Sequence, residues 1–169
     1  MDASDPTGMA HQVRERWRAR EAPDGDFIVF ADGSLAVMDL VRLSPPDRVD
    51  DVRAQRWQRV ELLRATEWDA GNWVEFGTML CSHACAGLRA SAGESADHGS
   101  IGWVALTRDD DERTLEWIAI SNWSNPFSAV TVDETTVTAV STAGRIWSFP
   151  RHAPQQVAIT ADPDHPWRR

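Results

Sequence analysis

The sequence predicts a single α+β domain in which two or three helices pack on one face of a mainly antiparallel sheet. Three observations predict this class. The chain has 169 residues, a length that suits one domain. Its last third carries short β-type runs about every ten residues, which is typical of an antiparallel meander. Segments upstream of these runs have the apolar spacing of helices.

The N-terminal part is predicted to form one helix and one hairpin. Residues 9–20 have helical spacing, with Val13 and Trp17 one turn apart on the same face. Turn-forming residues then end the helix. Two strands, at residues 27–30 and 35–41, flank an Asp-Gly pair that favours a hairpin turn.

The central part is predicted to contain the other helices. Residues 50–64 place apolar residues on one face and begin with acidic residues, which stabilise a first helical turn. Residues 79–91 are rich in small residues and predict a further helix, followed by a loop. Alternating aromatic residues leave a strand open as the alternative for residues 57–80.

The last third is predicted to consist of short strands separated by turn signals. These strands lie at residues 101–106, 115–120, 129–132, 137–140, 145–149 and 156–159. We expect the folded domain to span residues 9–160, after a flexible leader of residues 1–8 and before a tail of residues 161–169.

Composition excludes several classes of function. The chain has 17 basic and 26 acidic residues, a net charge of −9, so its surface repels nucleic acid and anionic lipid. It contains no lysine, which excludes the lysine of P-loops and of Schiff bases. No apolar run is long enough to cross a membrane. Since no catalytic or nucleotide-binding motif is recognisable, we predict neither an enzyme nor a cofactor.

A cysteine and histidine cluster carries the clearest metal-ligand chemistry. Cys81, His83 and Cys85, with His98 further along the chain, are residue types that bind zinc. On a predicted helix Cys81 and Cys85 share a face, whereas His83 points elsewhere. We therefore expect two small thiols in a core, and metal binding stays open. So few cysteines, and an N-terminus unlike a signal peptide, predict a cytoplasmic protein.

Nine tryptophans are more than a sheet of this size can easily bury. Alternation within strands predicts that Trp103, Trp117 and Trp147 belong to the core. Trp123 lies in a turn-rich segment and Trp167 in the tail. Because an exposed tryptophan beside charge is a typical anchor of protein–protein contacts, Trp123 is a candidate binding residue.

Acidic residues are concentrated at a predicted hairpin tip and within residues 21–51. The candidate partner-binding residues are Asp109, Asp110, Asp111, Glu112 and Trp123, with Asp24, Asp26 and Asp32 as a second patch. A merely solvated face is the commoner role of such charge. If functional, these patches attract a partner with a basic surface through steered association.

One segment resembles a known class of protein. Residues 117–159 contain Trp-Ile-Ala-Ile-Ser-Asn-Trp-Ser-Asn-Pro-Phe, then a valine-rich pair around Asp133-Glu134, then Ala-Gly-Arg-Ile-Trp-Ser-Phe-Pro. This order is similar to the C-terminal half of small immunity proteins from bacterial polymorphic-toxin systems. The resemblance implies a cytoplasmic, non-catalytic inhibitor that binds a cognate protein toxin and covers its basic active site.

Two other functions stay open from the residues alone. One is a small-molecule-binding domain, or a minor enzyme, with a tryptophan-lined pocket between the sheet and the helices. The other is a structural partner of a larger complex.

Overall fold

The computed structural model describes residues 6–42, 55–95 and 100–166, and these residues form one α-helix and thirteen strands. The elements, in chain order, are α1 (Pro6–Arg18), β1 (Glu21–Pro23), β2 (Phe27–Phe30), β3 (Leu35–Arg42), β4 (Gln55–Leu63), β5 (Trp73–Glu75), β6 (Thr78–Cys85), β7 (Leu88–Glu94), β8 (Gly102–Arg108), β9 (Leu115–Ser121), β10 (Phe127–Val132), β11 (Thr136–Ser141), β12 (Arg145–Pro150) and β13 (Ala158–Ala161). A short 3-10 helix, Pro154–Gln156, precedes the last strand.

The strands form three antiparallel sheets. A seven-stranded sheet has the order β4-β3-β2-β9-β8-β7-β6, so two local meanders meet where β2 pairs with β9. At that junction Phe27 lies opposite Ile120 and Phe30 opposite Trp117. A four-stranded meander, β10 to β13, forms the second sheet, and β1 with β5 forms a two-stranded ribbon.

The four-stranded sheet covers one face of the seven-stranded sheet. Alternation along β8 shows the division: Val104 and Leu106 belong to the core between the sheets, whereas Trp103 and Ala105 belong to the core on the opposite face. Trp147 lies at the centre of the first core, with its ring centroid 5.4 Å from that of Trp57. Burial of both faces explains why the inner strands are almost entirely apolar or small.

Helix α1 and the two-stranded ribbon cover the other face. Met9 and Val13, one turn apart, are buried, and Trp17 continues the same stripe at the end of the helix. Arg16 and Arg18 lie in the last turn, where positive charge is favourable to the helix dipole. Arg20 follows in a left-handed conformation, φ +61°, and turns the chain into β1.

The predicted α+β class with two or three helices is wrong, because the described residues contain a single α-helix and are mostly antiparallel strand. The predicted helix at 50–64 is strand β4 from Gln55 onward, and residues 50–54 lie outside the described residues. Strand β4 is an edge strand whose outward residues are exposed. Its mixed polar pattern therefore fits a helix as well as a strand.

The predicted helix at 79–91 is also wrong, because these residues belong to hairpin β6–β7. Ala86 and Gly87 form its turn with φ of +52° and +74°, and positive φ at both turn residues suits the twist of a hairpin. The absence of a side chain at Gly93 of β7 is needed for close packing, since a Cβ on Gly93 would lie 1.9 Å from the Thr78 carbonyl oxygen.

Other predictions are confirmed. The first helix is present and begins at Pro6, inside the predicted leader. All the strands predicted in the last third exist, and the last of them begins at Ala158, two residues later than predicted. Trp103, Trp117 and Trp147 are buried as predicted. Among the described residues, no helix is long and apolar enough to cross a membrane.

Candidate functional site

A cleft of about 270 Å³ lies between the C-terminal end of α1 and the β6–β7–β8 part of the large sheet. Its lining consists of Met79 and of residues of three chemical kinds. The aromatic residues are Trp17, Phe76 and Trp103, the cations are Arg20, Arg89 and Arg113, and the hydroxyl residues are Ser82, Ser91 and Thr107. We refer to this feature as the cleft.

The three aromatic rings form one continuous wall of the cleft. Trp17 stacks on Phe76 with centroids 5.4 Å apart, and Phe76 meets Trp103 edge-on at 4.8 Å. The indole N–H of Trp17 donates to the Arg113 carbonyl oxygen at 3.1 Å. This bond ties the end of the helix to the β8–β9 hairpin, so the wall is held from two sides.

Two of the arginines are held by a single carboxylate. Arg89 Nε and Arg113 Nη1 both donate to Asp109 Oδ1, at 2.9 Å and 2.6 Å. Arg89 also donates from Nη1 to the Ser82 hydroxyl at 2.8 Å. Since a guanidinium has five N–H donors, both groups keep donors that these bonds do not use.

The third arginine is held by backbone. Arg20 Nη2 donates to the Gly77 carbonyl oxygen at 2.8 Å, and the Arg20 carbonyl accepts the Phe76 N–H at 3.0 Å. These bonds fix the residue at the junction of α1, β1 and the segment after β5. The cleft therefore has cations that are positioned before any ligand arrives, which lowers the ordering cost of binding.

Sheet register brings the hydroxyl residues to the same side. Ser82 lies opposite Ser91 across β6 and β7, and Arg89 lies opposite Thr107 across β7 and β8. Directly opposed residues share one face of a sheet. The Thr107 hydroxyl donates to the Arg89 carbonyl at 3.3 Å, which places an oxygen at the floor of the cleft.

The cleft is locally positive although the whole chain is acidic. Hydrogen bonding and charge from Arg89, with a further contribution from Arg113, hold the pKa of Asp109 below its ordinary value, so this carboxylate stays ionised. Three guanidinium charges then face one carboxylate. Grouped cations of this kind attract anions.

The acidic hairpin tip predicted at residues 109–112 is a surface of mixed charge. Asp109 pairs with the two cleft arginines, and Glu112 lies 3.7 Å from Arg18. Asp110 accepts the N–H and the hydroxyl of Thr114 at 2.9 and 2.7 Å, which fixes the turn and lowers the pKa of Asp110. Asp111 is exposed.

Trp123 is at the opposite end of β9 and is 64% exposed. It lies in the turn at residues 121–126, where its own N–H donates to the Ser121 hydroxyl at 3.2 Å. The Asn122 N–H donates to Asp26 Oδ1 at 3.1 Å, and Asp24 lines a smaller cavity together with Asn122. The structure thus brings Trp123, Asp24 and Asp26 to one end of the sheet.

The predicted second patch is divided between two ends of the molecule. Asp32 lies in the β2–β3 turn, near the start of β9, and accepts the N–H of Ser34 at 2.8 Å. Asp26 is partly buried, and this burial raises its pKa, while hydrogen bonds from Ser121 and Asn122 oppose the shift.

The cysteine and histidine cluster lies on strand β6. On a strand Cys81, His83 and Cys85 alternate onto the same face, which differs from the helix-based expectation. Cys81 is partly buried, which raises its pKa, but Cys85 is exposed, so the expected pair of core thiols is wrong. His83 Nδ1 accepts the Val132 N–H at 3.1 Å.

No group of three or more metal-ligating side chains occurs within residues 6–42, 55–95 and 100–166. His98 and Trp167, which the sequence analysis singled out, lie outside the described residues.

Sequence reasoning missed the cleft because its residues come from separate segments. One local signal exists: Arg89 is the lone arginine in a run of small and apolar residues from 79 to 92. A charge in such a run indicates either an exposed face or a bound counter-charge. Arg20 and Arg113, next to turns, carry no such signal.

No family model matches the chain, and no curated protein or solved structure shows significant similarity to it.

Proposed function

We propose that the protein binds a small organic anion in the cleft. The observation that carries this proposal is the meeting of three arginines with an aromatic wall in one concave site. A guanidinium binds carboxylate or phosphate oxygens through parallel N–H bonds, and an apolar ring system gains by covering the wall. The ligand is therefore a carboxylate or phosphate that carries a flat apolar group.

The size of the cleft favours a metabolite with one or two rings. Its volume of about 270 Å³ is near the lower limit of small-molecule sites, roughly 300 Å³. Within the described residues, no histidine, cysteine or carboxylate lines the cleft. Binding without bond chemistry therefore fits the lining.

The proposal is tested by calorimetric titration with two ligand panels, aromatic carboxylates and nucleoside monophosphates. Arg113→Gln removes one cation but keeps the carbonyl that accepts the Trp17 N–H. We expect this variant to weaken binding by about tenfold to a hundredfold, the loss typical of a charged hydrogen bond. Arg56→Gln, an exposed residue on β4, is the matched control with the same charge change.

Two outcomes would contradict the proposal that the cleft binds an organic anion. One is the absence of binding by every member of both panels. The other is an equal effect of the Arg113 and Arg56 variants, since only general charge would then matter. Thermal melts of each variant separate lost binding from lost folding.

We also propose an immunity-type inhibitor as a second candidate, because an exposed tryptophan stands beside two acidic residues. Trp123 is 64% exposed, and Asp24 and Asp26 lie at the same end of the sheet. In this case acidic side chains pair with cations of a cognate toxin around one aromatic anchor. No bond is made or broken.

The second candidate is tested with the product of the neighbouring gene. Trp123→Ala combined with Asp24→Arg should abolish co-purification and toxin neutralisation. Charge reversal of Asp110 and Asp111 at the other end should have a smaller effect, because Asp110 is engaged in its own turn. Full toxin neutralisation by the variant that carries both the Trp123 and the Asp24 substitution would exclude this surface as the binding site.

A further inference from the structure

A second cavity, of about 120 Å³, shares part of the aromatic wall with the cleft. Phe76 and Trp103 line both this cavity and the cleft. The remaining apolar lining consists of Val74, Ile101 and Ile120. Because this cavity has less than half the volume of the cleft, it accepts one chemical group rather than a whole metabolite.

The polar lining of the second cavity includes an acceptor without a donor. Asn122 Oδ1 is buried and has no hydrogen-bond partner among the described residues. The Asn122 backbone is fixed by the bond from its N–H to Asp26 Oδ1. A buried acceptor that stays unpaired costs free energy, so such atoms in folded proteins indicate a missing donor.

A negative charge accompanies that acceptor. Asp24 also lines the cavity, and its own backbone is fixed by a bond from its N–H to the Asn72 carbonyl at 3.3 Å. A carboxylate and an amide oxygen together favour a ligand that carries several N–H donors and positive charge. The acidic net charge of the chain acts in the same direction.

The aromatic rings narrow the choice of cation. The faces of tryptophan and phenylalanine attract cations, and a planar guanidinium both stacks on a ring and binds acceptors at its edge. The same ribbon already shows this contact, since the Arg16 guanidinium lies 5.2 Å from the centroid of Trp73. A compact ammonium would satisfy fewer of these partners.

We propose that the second cavity is a binding site for a guanidinium group. The group pairs with the Asp24 carboxylate, with its plane against the wall of Phe76 and Trp103, and supplies the missing donor to Asn122 Oδ1 when the Asn122 side chain turns toward the cavity. Occupation of this site does not require an anion in the cleft, although the two sites share Phe76 and Trp103. Its ligand is either a small free guanidinium compound or an arginine side chain of a polypeptide, and these share the same chemistry.

The test is a titration of the full chain, followed by amide and indole NMR resonances. The probes are methylguanidinium, methylammonium as the matched cation, and a short peptide with one central arginine. We expect methylguanidinium to give saturable shifts at the Asn122 side-chain amide and the Trp103 indole N–H, and methylammonium to bind more weakly. A peptide that binds more tightly than methylguanidinium identifies a polypeptide source, and a peptide excluded from the site identifies a small free compound.

Two substitutions decide the assignment. Asp24→Asn should weaken methylguanidinium binding by about fivefold, the upper range for an exposed ion pair. Asp32→Asn makes the same charge change at the other end of the sheet and should leave it unaltered. Equal effects of the two variants, equal binding of both small cations, or the absence of shifts at Asn122 would each overturn the proposal.

Discussion

Replacement of Trp147 by alanine tests the packing of the two sheets directly. Its side chain is 1% exposed, and its ring lies 5.4 Å from Trp57 on the large sheet and 5.6 Å from Phe127 on the small one. Truncation of a buried tryptophan costs about 3–5 kcal/mol, because lost transfer free energy adds to the cost of a cavity. We expect a loss in that range for Trp147→Ala.

That loss is large compared with the whole stability of a domain, which is about 5–15 kcal/mol. For a chain of this size each kcal/mol corresponds to about 2–4 °C in melting temperature, so the variant should melt about 6–20 °C lower. Thermal circular dichroism and urea unfolding both measure the change. Trp147→Phe, which keeps a ring against Trp57, should recover part of the loss.

The matched control is Trp123→Ala, since Trp123 is 64% exposed. We expect it to change the free energy of unfolding by less than about 0.5 kcal/mol. If the two alanine variants unfolded at the same urea concentration, Trp147 would not join the sheets and the reasoning would be refuted.

Three further variants test separate features. Burial raises the pKa of Asp26, so the stability linked to its protonation is present at low pH and is lost as pH rises through the folded-state pKa. Asp26→Asn should therefore melt higher than the wild type at neutral pH, and thermal melts should show the gain shrinking toward acidic pH; a pH-independent difference would contradict this. Gly93→Ala places a Cβ 1.9 Å from the Thr78 carbonyl oxygen and should cost about 1–3 kcal/mol, with faster hydrogen exchange in β6. Unchanged exchange would show that β6 tolerates the side chain. Arg151→Met removes the paired bonds to Glu116, of 2.9 and 3.2 Å, and should cost about 1 kcal/mol in urea unfolding, less at high salt. A loss independent of salt would indicate packing instead.

The C-terminal meander could be predicted because its information is local. Strands β11 and β12 alternate buried and partly buried residues, β10 alternates buried and exposed residues after its bulge, and turn residues separate the three strands. The burial of Trp147 follows from the same alternation, whereas Trp117 lies on β9, which is buried on both faces. Hairpin pairing also needs no knowledge of distant residues.

The sequence favours helices at residues 50–64 and 79–91, and it indicates β4 and the start of β6 only through the strand alternative for residues 57–80. Both strands are edges of the seven-stranded sheet, which explains the weak signal. An edge strand has one paired side and exposes most of its side chains, as Val60 and Met79 show at 63% and 51%. Such a strand lacks the buried alternation by which strands are recognised. The small residues of β7 also led to a wrong prediction of a helix. They reflect close packing between strands rather than a preference for helix.

The candidate site was only partly predictable for a similar reason. The acidic run around Asp109 is visible in the sequence, but the partner of Asp109, Arg89, lies 20 residues away and reaches it through the register of β7 against β8. Trp123 was identified correctly as exposed, because a tryptophan among turn residues has no sheet face on which to be buried. Register decides which charges neutralise one another, and composition does not.

The junction of β2 with β9 has a consequence for synthesis and folding. Every other neighbouring pair of strands in the seven-stranded sheet is close along the chain. Strand β2, in contrast, can pair with β9 only after residues 117–120 have been synthesised. Closing so long a loop costs conformational entropy before the contacts between β2 and β9 compensate for it. We therefore expect this pairing to limit the folding rate. While the ribosome is still translating the middle of the chain, the apolar strand Phe27–Phe30 has an open edge, and a chaperone or a second nascent chain has its best access to the protein in that interval.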